Sequence, residues 1–234
     1  MDGLPKPRRY LAVFAISCGT ALNVIDGAIP NVALPTIALD MDVAPSAAVM
    51  IVSVYQLVLV MTLLPFSALG ARIGLRPLYQ YGQALFIVSA VLCFFAPNLP
   101  MLLAARTLQA LGAAAALSVA SALVRSIYPS GQLGRGLGIN SVVVASSAAL
   151  APILGGFIVS VMSWPWVFVA TLPLALLSLA VGQHSLPDPR PRRERYDLLG
   201  ALLCALTFGL IISGLLALAQ GYPPPASLAV VLVG

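Results

Sequence analysis

Two side chains of opposite charge lie where charge is expensive. Asp26 falls in LNVIDGAIPNVALPTI, Leu22 to Ile37, and Arg106 falls in ARTLQALGAA; both stretches are otherwise apolar or carry small and uncharged residues. Within hydrocarbon a charged side chain costs about 2.5–3.5 kcal/mol on insertion scales, so it survives by facing a cavity or by finding a partner. Burial favours the neutral carboxyl and a neighbouring cation favours the carboxylate, so an acid–base pair whose separation changes with conformation takes up and releases a proton. A substrate that inserts between the two competes with that proton, and such a site exchanges protons for cargo. The plainer alternative is a structural ion pair that does no more than hold two helices together.

The elements that would position this pair follow from composition. Of 234 residues, 60% are hydrophobic and 8% charged, against about 25% charged in soluble domains, so the chain reads as a membrane protein. A span needs about 20 mostly apolar residues to cross about 30 Å of hydrocarbon. Seven runs meet that need, near 10–33, 47–69, 78–96, 100–126, 137–161, 166–183 and 198–219. A further apolar run at 226–234 would make only about 13 Å of helix and is expected to be a partial eighth span, which makes the chain a fragment or a truncated reading frame. The expected organisation is a six-span bundle over 1–183, a basic cytoplasmic linker over 184–197 (HSLPDPRPRRERYD), and span 7 with the partial eighth over 198–234.

The connectors are sorted by charge. With the N-terminus inside, Lys6, Arg8 and Arg9, then Arg72 and Arg76, then Arg125 and Arg135, then Arg190, Arg192, Arg193 and Arg195 all fall on one side, the pattern of the positive-inside rule. The net charge of +5 is therefore topology and gives no sign of nucleic-acid binding. In that orientation Asp26 lies roughly 24 Å along span 1 and Arg106 roughly 9 Å below the outer surface on span 4, at 1.5 Å per residue. The two depths differ by a few Å, which makes the residues candidate partners. Tyr10, Tyr79, Tyr128, Tyr196, Tyr222, Trp164 and Trp166 sit near span ends, where interfacial aromatics belong. The basic residues before the first run imitate a signal peptide, but the run is too long for one. Cys18, Cys93 and Cys204 are far apart inside apolar runs and read as small buried residues rather than a disulfide or metal framework. His184 opens the linker as a solvated loop residue. No span carries a nucleophile with its base, so an enzyme is not expected.

Several motifs are similar to the N-terminal half of the major facilitator superfamily, and most of all to its fourteen-span drug:proton antiporter branch. Asp26, Asn31, Val32, Ala33, Leu34, Pro35 and Ile37 match that branch's D-x-x-x-x-N-V-A-L-P-x-I in span 1. After span 2, SALGARIGLR resembles G-x-L-a-D-r-x-G-r-[KR] through Leu69, Arg72, Gly74 and Arg76, with Ser67 and Ala71 in place of the glycine and the acid. Span 4 keeps Arg106, Gln109 and Gly112 of R-x-x-q-G-x-G-a-a, with Ala110 for a glycine, and span 5 keeps Pro152, Gly155 and Gly156 of the antiporter motif g-x-x-x-G-P-x-x-G-G. SWPWVFVATLP (Ser163 to Pro173) and YDLLG (Tyr196 to Gly200) resemble the start of span 6 and the entry to span 7.

The resemblance implies an all-α polytopic bundle, six spans in two inverted three-helix repeats with the site at their interface. It implies proton-coupled efflux of drugs or antibiotics across the cytoplasmic (inner) membrane. Asp26 and Arg106 would couple the proton, while Arg72, Gly74 and Arg76 would form a cytoplasmic gate. Polar residues that line a cavity or bond between helices are Asn23, Asn31, Tyr55, Gln56, Gln109 and Asn140. The expected partners are a lipophilic or cationic small molecule, a proton, membrane lipid and a C-terminal bundle; a proton gradient takes the place of any cofactor, and no metal is expected. Uptake or exchange of a metabolite, and a non-transporting truncated membrane protein, are the other readings.

Overall fold

A computed structural model describes residues 3–187 and 198–219. The remaining part of the expected linker, 188–197, and the expected partial eighth span, in 220–234, lie outside the described residues. Among the described residues the secondary structure is helical: α1 (Lys6–Ala28), α2 (Pro30–Asp40), α3 (Pro45–Ile73), α4 (Leu75–Phe94), α5 (Leu99–Ile127), α6 (Leu133–Val161), α7 (Trp166–Val169), α8 (Leu172–Ser185) and α9 (Leu198–Ala219). Six of these rods are long and apolar enough to cross a bilayer, α7 and α8 counting as one with the turn between them.

Span 1 is longer than 10–33 and is bent. Pro30 has no N–H to give to the carbonyl of Asp26, so the hydrogen-bond ladder lapses one turn beyond the carboxylate. Ile29 nevertheless stays right-handed helical (φ −53°, ψ −45°), so the rod bends instead of ending, and α2 continues it to Asp40. Asp42, at φ +50°, then turns the chain into Pro45 at the start of α3. At the opposite end α3 and α4 are joined by one residue, Gly74, whose φ of +109° is open to glycine and strained for other residues.

Neighbour relations reveal the internal repeat. α1 packs on α6 and on α8, while α5 packs on α3 and on α4. Exchanging α1 with α5, α3 with α6 and α4 with α8 leaves this pattern unchanged, and because successive spans alternate in direction the two three-helix units are inverted. Close approach is made by small residues: a Cβ on Gly82 of α4 would lie 2.7 Å from the Gly112 carbonyl of α5, and one on Gly112 would lie 2.7 Å from the Phe86 amide. This tight α4–α5 seam holds Arg106, two turns before Gly112, at a fixed height. α6 by contrast turns Val142, Ile153 and Phe157 outward, and α9 lies against α3, with Gly209 beside Met61.

Three expectations need correction. α8 runs to Ser185, so His184 belongs to its last turn, its Nδ1 beside the Ala180 carbonyl, and does not start a loop. Tyr79 is not an interfacial aromatic; it is 1% exposed, and its hydroxyl donates to the Ala15 carbonyl. Trp164 is also buried, because its indole Nε1 donates to Asp40 Oδ2 at 2.7 Å and ties α2 to the corner before α7. In both, the chain position near a span end is as expected; a polar partner on another helix draws the ring inward.

Candidate functional site

The bend at Pro30 and the α4–α5 seam bring span 1 and span 4 together at one height, and there the acid meets the base. Asp26 Oδ2 accepts from Arg106 Nη1 at 2.9 Å, the one side-chain ion pair among the described residues. Gln109, one turn along α5, closes a triangle: its Nε2 donates to Asp26 Oδ1 at 3.1 Å and its Oε1 accepts from Arg106 Nη1 at 2.7 Å. Asp26 is 1% exposed, and Arg106 and Gln109 are fully buried. Taking two charges out of water costs several kcal/mol each before their attraction is counted, so further contacts must hold the cation.

Those contacts come from two rings and a carbonyl. The guanidinium carbon of Arg106 lies 4.1 Å from the centroid of the Tyr55 ring and 5.4 Å from that of Phe168. Its Nε donates weakly to the Ile51 carbonyl at 3.5 Å. A desolvated cation over an aromatic face is stabilised by up to about 2 kcal/mol, which offsets part of the burial cost. Cys93 of α4 adds a long S–H contact to Gln109 Oε1, 3.5 Å. The Tyr55 hydroxyl lies near the Asp26 carboxylate without meeting hydrogen-bond geometry, and Arg106 Nη2 has no protein acceptor. The arrangement holds a charge pair by contacts from five helices while leaving one guanidinium nitrogen and one hydroxyl unpaired. Chemically it can let go of the carboxylate without stranding the cation.

The other residues singled out in the sequence divide by place. Asn23 is buried one turn before Asp26, where its Nδ2 donates to the Gly19 carbonyl at 2.6 Å. Asn140 is half-buried and accepts from Thr20 Oγ1 at 3.2 Å. Asn31 and Gln56 are exposed, Asn31 bonding back to the Ala28 carbonyl. Gly155 is buried at the bend, where an added Cβ would lie 3.2 Å from the Ile29 carbonyl, so α6 touches the span 1 kink through that glycine. Pro152 is exposed and a Cβ on Gly156 would meet nothing within 4 Å. Arg72 is exposed, Gly74 buried, and Arg76 half-buried with its Nη2 donating to the Gln183 carbonyl of α8. These last three sit at the end of the bundle that carries the basic residues, away from the ion pair.

Phe168, Cys93 and the Ile51 carbonyl belong to the site and carry no signal of their own in the sequence. A ring in an apolar run is indistinguishable there from any core ring, and a backbone carbonyl has no residue type. Tyr55 and Gln109 were legible as polar groups inside spans, though the cation–π contact of Tyr55 was not.

The sequence profile of the Major Facilitator Superfamily matches residues 16–200. The chain belongs to that superfamily of membrane transporters and is a multi-pass membrane protein, not an enzyme. It is 45% identical over 222 residues, 94% of this chain and 49% of the relative, to a protein of Escherichia coli called uncharacterized transporter YebQ. It is 30% identical to the riboflavin transporter RibZ of Clostridioides difficile (88% of this chain, 45% of the relative) and 32% identical to the methylenomycin A resistance protein of Streptomyces coelicolor (85% and 43%). The chain thus spans about half the length of the curated relatives it matches. Among solved structures a peptide transporter in complex with sulfate aligns with TM-score 0.69 at 17% identity, over 90% of this chain and 46% of that one, which shows the shared fold.

Proposed function

We propose that this chain forms the proton-coupling bundle of an exporter of lipophilic or cationic small molecules, a drug or antibiotic among them. The observation that carries the reading is the buried Asp26–Arg106 pair, closed by Gln109 and held on the cation side by Tyr55 and Phe168. Protonation of Asp26 removes the attraction for Arg106 while both rings and the Ile51 carbonyl still hold the guanidinium, so the carboxyl is free to change partner. A cationic cargo that meets the carboxylate expels the proton, and a proton that returns expels the cargo. The basic end of the bundle is the cytoplasmic end, in the inner membrane, by the positive-inside rule. Arg76, fixed on the α8 carbonyl end, and Gly74, the single-residue hinge between α3 and α4, are placed to serve a gate there. A C-terminal bundle completes the cavity.

The test uses the full-length protein in inverted membrane vesicles with ethidium as the probe cation. The wild type accumulates ethidium when a proton gradient is imposed, and Asp26→Asn abolishes that dependence. Gradient-driven accumulation that survives Asp26→Asn overturns the role of the carboxylate. The likeness to a riboflavin transporter supports a second reading, metabolite uptake or exchange, and the direction of flux decides between the two: riboflavin entering right-side-out vesicles, with ethidium ignored, favours uptake.

A further inference from the structure

A second buried polar cluster lies on the same face of α1, nearer the basic end. The Ala15 carbonyl accepts from Tyr79 Oη at 3.2 Å and from Ser178 Oγ at 2.9 Å, and the two hydroxyls lie 2.8 Å apart. Gly19, one turn on, is what lets the side chains of α4 reach α1: an added Cβ there would collide with the Tyr79 hydroxyl and sit 2.7 Å from Gln83 Nε2. Gln83 is 1% exposed, yet neither its Nε2 nor its Oε1 has a hydrogen-bond partner, and Asn23 Oδ1 has none either. Three unpartnered polar atoms, two from a side chain of α4 and one from α1, thus belong to amides that reach Gly19. Buried polar groups are otherwise nearly always satisfied, and a buried water takes two to four such partners.

The spacing turns the cluster into a path. Ala15, Gly19, Asn23 and Asp26 follow one face of α1, at steps of four, four and three residues, and Tyr79 and Gln83 follow one face of α4 at a step of four. Each step is about 4.5–6 Å of rise, a gap that one water bridges. The Tyr79 hydroxyl lies near the Gln83 amide and near Cys18, short of hydrogen-bond geometry with either. Below it, Ser178 lies seven residues from Ser185, at the end of α8 where Arg8 grips the Ser185 and Leu186 carbonyls. At the top, the groups facing Asp26 are Arg106, Gln109 and Tyr55, and among the described residues no charged side chain lies between them and Tyr79.

We infer that α1, α4 and α8 enclose a hydrated proton path from the cytoplasmic end, through the Tyr79–Ser178 hydroxyl pair and waters held by Gln83 and Asn23, to Asp26. It rests on the coupling role given to Asp26 above. The two hydroxyls relay by accepting a proton on one side as they release one on the other. Gln83 and Asn23 carry no proton and hold the waters in line. When cargo arrives from the cytoplasm, the net change is one proton moved from the Asp26 carboxyl to the cytoplasmic side, which leaves the carboxylate that meets the cargo; a pH drop drives the same relay in reverse.

The test is a rapid pH drop on the full-length protein in lipid nanodiscs, with the carboxyl C=O stretch followed by time-resolved infrared spectroscopy and assigned by its loss in Asp26→Asn. Gln83→Met and Tyr79→Phe each slow the rise of that band roughly ten-fold or more, with its titration midpoint unmoved, and Gln83→Asn keeps most of the rate. Unchanged rates in both variants overturn the path, and so does a slowing matched by an equal shift of midpoint, which marks a structural role. A wild type with no Asp26-dependent band overturns the coupling reading itself. A measurement without substitution stands beside these: X-ray radiolytic labelling of the wild type modifies Tyr79 faster than the equally buried Phe86, and equal labelling, after correction for ring reactivity, overturns the path.

Discussion

Two polar clusters hang on one face of α1, about 16 Å of helix rise apart, and they meet the cost of burial by opposite means. Around Asp26 every gain comes from charge: a 2.9 Å ion pair, a bridging glutamine and two rings against the cation. Around Ala15 there is no charge at all; two hydroxyls share one backbone carbonyl, Asn23 bonds to the Gly19 carbonyl, and Gln83 has no protein partner. Remove Arg106 from the charged cluster and an uncompensated carboxylate remains, whereas loss of one member of the neutral cluster leaves at most an unpaired dipole. A buried ion pair is poor at stabilising and good at switching, while a neutral hydroxyl network suits transmission, since it presents no electrostatic trap along the way.

The sharpest way to break this contrast is Arg106→Met. It leaves the Asp26 carboxylate buried without its cation and should cost about 3–5 kcal/mol, read as a large drop in the melting temperature of the purified full-length protein. Adding Asp26→Asn should return much of the loss, because the pair fails together; additive losses would show that the two side chains are not energetically coupled. The corresponding change in the neutral cluster is Gly19→Ala, where the new methyl meets the Tyr79 hydroxyl. It should cost about 1–3 kcal/mol by overpacking, and Tyr79→Phe in the same chain should relieve it. If the double variant melts no higher than Gly19→Ala alone, the steric account of Gly19 is wrong. Smallest is Phe168→Leu, which removes the more distant of the two rings and keeps an apolar filling. A loss of about 1 kcal/mol is expected from it, and that loss should vanish in a background where Arg106 is already Met.

How far the sequence reaches differs between the two clusters for a physical reason. Charge in hydrocarbon is visible in a single residue, so Asp26 and Arg106 stood out, and the fixed rise of a helix placed them at one depth without any contact being known. The six-rod bundle was legible by the same route, from run lengths and the sorting of arginines. The neutral cluster was not legible, because a tyrosine near a span end looks the same whether it faces a headgroup or a carbonyl on another helix. In the sequence Tyr79 and Trp164 therefore have the look of interfacial aromatics. Gln83 gives no signal of its own in the sequence, because its surroundings include Gly19, some sixty positions away, whose role depends on having no side chain. The bend of span 1 needs the structure: a run near 10–33 carries no bend, and it is the helical geometry of Ile29 before Pro30 that takes the rod on to Asp40.

The central claim, that Asp26 exchanges its proton for cargo, is tested most directly by counting protons. In weakly buffered detergent, ethidium binding to the full-length protein should release about one proton per bound molecule in the wild type and none in Asp26→Asn. Equal proton release from the two proteins would contradict the account.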